Sequence, residues 1–175
     1  MNKNINVLAI DPGIKTGWAT YHEGVCHSGA HDFSKARKMS SGDAYHEQML
    51  FMARVTSGWR CNAIVIEEPT PRSMRCARIQ YGMFAMPQLH ASQEDIGYTV
   101  AYPNEVKKFL KGALVDMLMT VERTNEIAKI AGGNKNKINS VRYFYQECNE
   151  MPYDDNEADA YALLRYYMAK MEVMA

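Results

Sequence analysis

The chain has no apolar run near the roughly 18 residues that a membrane-spanning helix needs. Its opening, Met1-Asn2-Lys3-Asn4, lacks the apolar core of a secretory signal. An intracellular, cytoplasmic protein without a membrane partner is therefore expected. Net charge is also absent: twenty basic residues cancel twenty acidic ones, so the whole-molecule field steers toward neither nucleic acid nor membrane. Any surface for a polyanion must be local. Cysteine is scarce, and Cys26, Cys61, Cys76 and Cys148 form no CxxC pair. That argues against a zinc knuckle or a disulfide framework and leaves reduced thiols. His22, Cys26, His27 and His31 cluster in sequence, but on an alternating segment they point to different faces, so zinc is not expected. Internal repeats and low-complexity tracts are missing too.

What is present is enough for one domain. A chain of 175 residues with 47% hydrophobic content can bury a single substantial core and is too short to need two. Ile5 to Ile10 is a short apolar run closed by Asp11-Pro12-Gly13, a buried strand and its turn. Trp18 to His22 and Val25 to Phe33, separated by Glu23-Gly24, predict two further antiparallel strands. Polar Ser34 to Gly42 reads as a loop. Tyr45, Met49, Met52, Ala53 and Thr56 then recur at helical spacing up to Trp59. Ala63 to Ile66 is uninterrupted and β-branched, as in a central parallel strand buried on both faces. Pro71 is expected to open a second helix that Pro87 interrupts or bends. Tyr98 to Tyr102 predicts a fifth strand, and the tail from Asn104 reads as helices punctuated by Gly112, Gly132-Gly133 and Pro152-Tyr153. This order predicts an α/β fold: a five-stranded mixed sheet, three strands antiparallel and two parallel, with helices on both faces.

Three acids stand in apolar surroundings. Asp11 ends Val7-Leu8-Ala9-Ile10, Glu67 ends Ala63-Ile64-Val65-Ile66, and Asp159 lies within Ala158-Asp159-Ala160-Tyr161-Ala162-Leu163-Leu164. Alternation puts Val7, Ala9 and Asp11 on one face of the first strand, and Val65 and Glu67 on one face of the fourth. If those strands are parallel neighbours, both acids emerge at their carboxyl ends, where open α/β sheets tend to bind ligands. Asp159 stands three, four and seven residues before Ala162, Leu163 and Tyr166, on the core-facing stripe of the last helix. Each acid alone has an ordinary explanation: a turn cap, a strand-end charge, or an arginine's partner. Together they are costly to bury unless paired or holding a metal, and a divalent cation accounts for all three.

With these residues in view, the chain resembles the RuvC-type Holliday junction resolvases of the ribonuclease H-like superfamily, as a phage or otherwise divergent member. Ile10-Asp11-Pro12-Gly13 with Thr16-Gly17-Trp18-Ala19 is similar to that family's first motif, and Val65-Ile66-Glu67-Glu68 to its second. Asn156-Glu157-Ala158-Asp159-Ala160 resembles its carboxy-terminal motif, and Tyr102-Pro103-Asn104-Glu105-Val106-Lys107 a segment with a Val-Lys pair. The likeness spans nearly the whole chain, read as a single nuclease domain over residues 1–175. Two departures stand out. Asn156 occupies a position where the family has an acid or histidine, so either its amide or Asp155, on the same helix face as Asp159, supplies a fourth ligand. Against Asp155, Asp154 with Glu157 resembles a capping box, which would make the acids of that turn helix-start residues. The stretch from Gly112 to Gly133 looks longer than in the family, and Met117, Leu118, Val121, Ile127, Ala128 and Ile130 suggest an added helix. The family's second lysine then falls on Lys137, with Lys135 fitting nearly as well.

The resemblance implies magnesium, replaceable by manganese, with two ions per site about 4 Å apart serving the attacking water and the departing oxygen. Asp11 would bridge them, Glu67 and Asp159 would complete the shells, and Lys107 or Lys137 would balance the phosphate. It also implies a homodimer acting in the cell on four-way DNA junctions. Arg72, Arg75 and Arg78 form a basic series for DNA, with Tyr81 and Phe84 behind them as stacking or core residues. Lys107, Lys108, Lys111, Lys135 and Lys137 form a second basic region, with Lys129 and Arg142. Competing readings are a related nuclease acting on other branched DNA, flaps or RNA-containing duplexes, and a non-catalytic junction-binding protein. A third is suggested by Asp11-Pro12-Gly13 through Thr16-Gly17, which resembles the phosphate loop of actin-like sugar kinases, usually about twice this length.

Overall fold

The structure is a computed structural model that describes residues 5–71, 73–115 and 119–174, without the side chains of residues 75, 136, 173 and 174. Five strands form one mixed sheet in the order β3-β2-β1-β4-β5. β1 (Val7–Asp11), β2 (Lys15–His22) and β3 (Val25–Asp32) are antiparallel neighbours, and β4 (Ala63–Glu67) and β5 (Gly97–Ala101) run parallel to β1. The topology is the one the sequence predicts. Glu23 and Gly24 both have positive φ, 50° and 89°, the handedness that a two-residue hairpin turn requires.

The central strands are apolar on both faces because helices cover both. Val7, Ala9 and Val65 pack with α7 (Asp155–Met174), α6 (Lys135–Cys148) and α4 (Pro103–Ala113). Leu8, Ile10, Ile64 and Ile66 pack on the other side with α2 (Ser41–Gly58) and α3 (Met74–Gln93). His22 and His27 lie against Trp59, His31 lies against Phe51, and Cys26 packs on the opposite face. The alternating pattern predicts different faces for these residues, but His22, His27 and His31 share one face of the hairpin and only Cys26 is turned away. Among the described residues, no helix is long and apolar enough to cross a membrane.

Three local expectations are corrected. Ser34 to Gly42 is not a loop: α1 (Ser34–Met39) occupies it, and since it buries no residue it carries no apolar period to reveal it. The second helix begins at Met74, where the Ser73 hydroxyl accepts the Cys76 N–H, so Pro71 does not open it. That helix continues through Pro87, which is buried in line with Met83 and Ala91 one turn to either side. Burial along this stripe offsets the hydrogen bond that proline removes. In α2 the inward face is Ala44, Gln48, Phe51, Met52 and Thr56, and Ala53 is exposed. The added helix between Gly112 and Gly133 exists as α5 (Val121–Ile130); Met117 and Leu118 lie outside the described residues.

One contact fixes how α7 sits. A Cβ added to Gly17 would lie 1.8 Å from the Asn156 carbonyl oxygen and 3.1 Å from the Ala160 Cβ, so only glycine lets the first turn of α7 rest on β2. Gly17→Ala is expected to cost about 2–4 kcal/mol in urea unfolding. Gly112→Ala, in a helix with open space around it, should cost nothing or stabilise by up to about 1 kcal/mol. Equal effects of the two would refute this account of the helix seat.

Candidate active site

β1 and β4 are parallel and in register from Val7 opposite Ala63 to Ile10 opposite Ile66, so their last residues, Asp11 and Glu67, emerge side by side at one edge. Both continue the face of Val7, Ala9 and Val65, the face that α7 covers. Asp11 pairs with Gly17 in the β1–β2 register, and α7 rests on Gly17. That brings Asp159, one turn into α7, to the two strand-end acids. The turn after Asp11 is closed by Thr16, whose hydroxyl donates to the Gly13 carbonyl at 2.7 Å and accepts the Gly13 N–H at 3.1 Å.

Asp11, Glu67 and Asp159 line a single cavity of about 440 Å³ together with Lys107, Lys137, Ser140 and Gln80. Burial raises the Asp11 carboxyl to about 7, with the neighbouring Asp159 charge adding to the effect. Burial likewise pushes Glu67 well above the usual carboxylate range, reinforced by Asp11 and Asp159, and raises Asp159. These three acids are charges in need of compensation. Lys137 supplies part of it: its ammonium is hydrogen-bonded to Asp155 and lies 3.5 Å from Asp159. Burial works against the charge on Lys137, but the bond to Asp155 and the nearby Asp159 outweigh it.

The start of α7 gives the two candidates for a fourth ligand different partners. Asp154 caps the helix, accepting the Asn156 and Glu157 N–H groups at 3.0 Å each. Its other oxygen accepts the Asn156 side-chain N–H at 3.1 Å, and neither Asn156 nor Asp155 is among the residues that line the cavity. Glu157 completes the cap by accepting the Tyr153 N–H at 2.6 Å, and it ties α7 to β3 by accepting the Ser28 hydroxyl at 2.7 Å. Asp155 is linked to the cavity through Lys137. Lys135, at the first turn of α6, is exposed and does not line the cavity.

Of the predicted basic residues, Lys107 is at the cavity wall, while Lys108, Lys111 and Arg78 are exposed. Arg72 and the Arg75 side chain lie outside the described residues. Tyr81 is half exposed, and Phe84 packs against the second core. Sequence reasoning missed Ser140, a buried residue whose hydroxyl bonds to Asp159. Its place one turn after Lys137 on α6 was the available signal. It also missed Gln80, whose buried amide oxygen has no hydrogen-bond partner among the described residues, and Glu68, which reaches the same cavity.

The donor set suits a hard divalent cation: carboxylate oxygens, partly desolvated, with more negative than positive charge. No three His, Cys, Asp or Glu side chains among the described residues are drawn together as a finished set of ligands. Waters and substrate oxygens would have to complete any shell, as magnesium commonly requires.

A mixed sheet of this order, with acids at the ends of its first and fourth strands and a third from the last helix, defines the ribonuclease H-like fold. Within that fold the solved structures most informative here are Holliday junction resolvases. RuvC of Thermus thermophilus in complex with a Holliday junction substrate superposes with a TM-score of 0.64 at 17% identity, over 96% of each chain. The yeast mitochondrial Holliday junction resolvase Ydc2 gives 0.56 at 10% identity, over 94% of this chain and 78% of that one. The fowlpox virus Holliday junction resolvase gives 0.53 at 13% identity, over 95% and 99%. No family model and no curated protein matches the chain by sequence.

A carboxyl group raised by burial stabilises the fold only below its unfolded value, and that contribution is lost as pH climbs to the folded value. For Asp11 the window runs from its ordinary 3.8 to about 7. Without divalent cations, Asp11→Asn should raise stability by about 1–3 kcal/mol near pH 8 and change little near pH 4. Thermal unfolding at the two pH values checks this; an Asn variant no more stable than the parent near pH 8 would contradict it.

Proposed function

We propose that the chain is a metal-dependent endonuclease that resolves four-way DNA junctions by hydrolysing phosphodiesters in opposed strands, acting as a single nuclease domain within a homodimer. The observation that carries this reading is the convergence of Asp11, Glu67 and Asp159 in one cavity at the carboxyl ends of β1 and β4. Support comes from a fold shared over nearly the whole chain with a RuvC captured on junction DNA.

Asp11 and Asp159 both act on Glu67, and Asp159 acts on Asp11, so the three carboxylates form one coupled set. Asp11 would serve as the shared ligand, with Glu67 and Asp159 completing the shells. Magnesium, or manganese in its place and two ions per site, would supply a water nucleophile at neutral pH and neutralise the leaving oxygen. Ser140 fixes one Asp159 oxygen and so orients the other. Lys107, at the cavity wall and close enough to Glu67 to offset its burial in part, would meet the phosphate charge. Lys108, Lys111 and Arg78 are free in solution to engage the DNA backbone, a salt-sensitive contribution that a neutral chain can make only through such local groups. In a homodimer, two-fold symmetry would present one site to each of two opposed strands.

Magnesium-dependent cleavage of labelled four-way junction, flap, linear duplex and RNA–DNA hybrid, run in parallel, tests the reading. Paired symmetric nicks in the junction are expected, with Asp11→Asn, Glu67→Gln and Asp159→Asn each lowering the rate by on the order of a hundredfold or more. Undiminished cleavage by any of the three would overturn the mechanism. Preferential cutting of flap or hybrid would overturn the substrate assignment.

A further inference from the structure

Lys137 makes closer contact with the acids than phosphate neutralisation alone would require. Its ammonium is bonded to Asp155 and is 3.5 Å from Asp159, two acids four residues apart on one face of α7. The three side chains are 32%, 25% and 19% exposed, so this is a partly sheltered cluster rather than a solvent-screened surface pair. The lysine arrives from a separate helix, α6, and Ser140, one turn further along, holds Asp159 by its hydroxyl. An ammonium is a donor only. Each carboxylate lone pair that it occupies is one that a metal ion cannot use at the same time.

We propose that Lys137 is the resident counter-cation of Asp155 and Asp159 in the DNA-free protein, and that a divalent cation must displace it to load this side of the site. This rests on the reading of the cavity as cation-dependent. Displacement leaves the ammonium without its acidic partners, and a phosphate entering the cavity offers it a new one. Cation loading and phosphate arrival therefore favour each other, and the free protein is held at low cation affinity. Asp155 serves in this scheme to retain Lys137 between encounters.

Titration calorimetry of manganese into the DNA-free full-length chain tests the proposal, with Lys137→Met and Lys137→Gln as neutral variants and Lys137→Arg as the charge-retaining one. The neutral variants are expected to bind manganese about tenfold more tightly than the parent, since a competing positive charge has been removed. Lys137→Arg is expected to stay within about threefold of the parent. A purely structural role for Lys137 would not tighten binding. Folded neutral variants that bind manganese no more tightly than the parent would overturn the competition while leaving the cation-dependent reading in place. If neither the parent nor the neutral variants take up manganese, both fall.

Discussion

Asp11, Glu67 and Asp159 share one partly desolvated cavity, and the repulsion among them is the constraint around which the rest of this molecule is arranged. Burial raises all three, Asp11 to about 7 and Glu67 well above the usual carboxylate range. A fold under selection for stability alone would replace such acids, since each costs free energy near neutral pH. Their retention in a single cavity is intelligible as the expense of a site whose charge is completed by something other than the protein. Lys137 and Lys107 meet part of the requirement.

The frame exists to hold that set together. Parallel pairing of β1 with β4 fixes two acids at one edge, and the third depends on how closely α7 approaches the sheet. That approach is secured at several points: Gly17 admits the Asn156 carbonyl, Asp154 caps the helix, and Glu157 joins the cap to Ser28 on β3. Ala158, Ala160 and Ala162 are fully buried, and their small side chains keep the helix close. The opposite face of the sheet has no such task, and there Leu8, Ile10, Ile64 and Ile66 meet the larger side chains of α2 and α3.

Much of this was legible in the residues because its signals are local. Continuous β-branched runs marked the central strands, Glu23-Gly24 marked the hairpin, and acids ending apolar runs marked Asp11 and Glu67. Position on an apolar helical stripe marked Asp159. What escaped lacked a local signature. α1 buries nothing and so shows no period, and α3 runs through Pro87 because tertiary burial outweighs a local rule. Lys137 and Lys135 were indistinguishable two residues apart, since only the seating of α6 puts one into the cavity and leaves the other in solvent. The same holds for the fourth acidic position. Asp155 and Asn156 share a turn and differ only in their partners: Asp154 accepts the Asn156 side-chain N–H, and Lys137 reaches Asp155 from another helix.

The central claim, that the buried acids form a cation site, is tested most directly by anomalous diffraction from crystals soaked in manganese. The account predicts anomalous density within about 2.0–2.4 Å of carboxylate oxygens of Asp11, with Glu67 or Asp159 as a second ligand. Manganese bound only at surface acids, with the Asp11 cavity empty at saturating concentration, would contradict it.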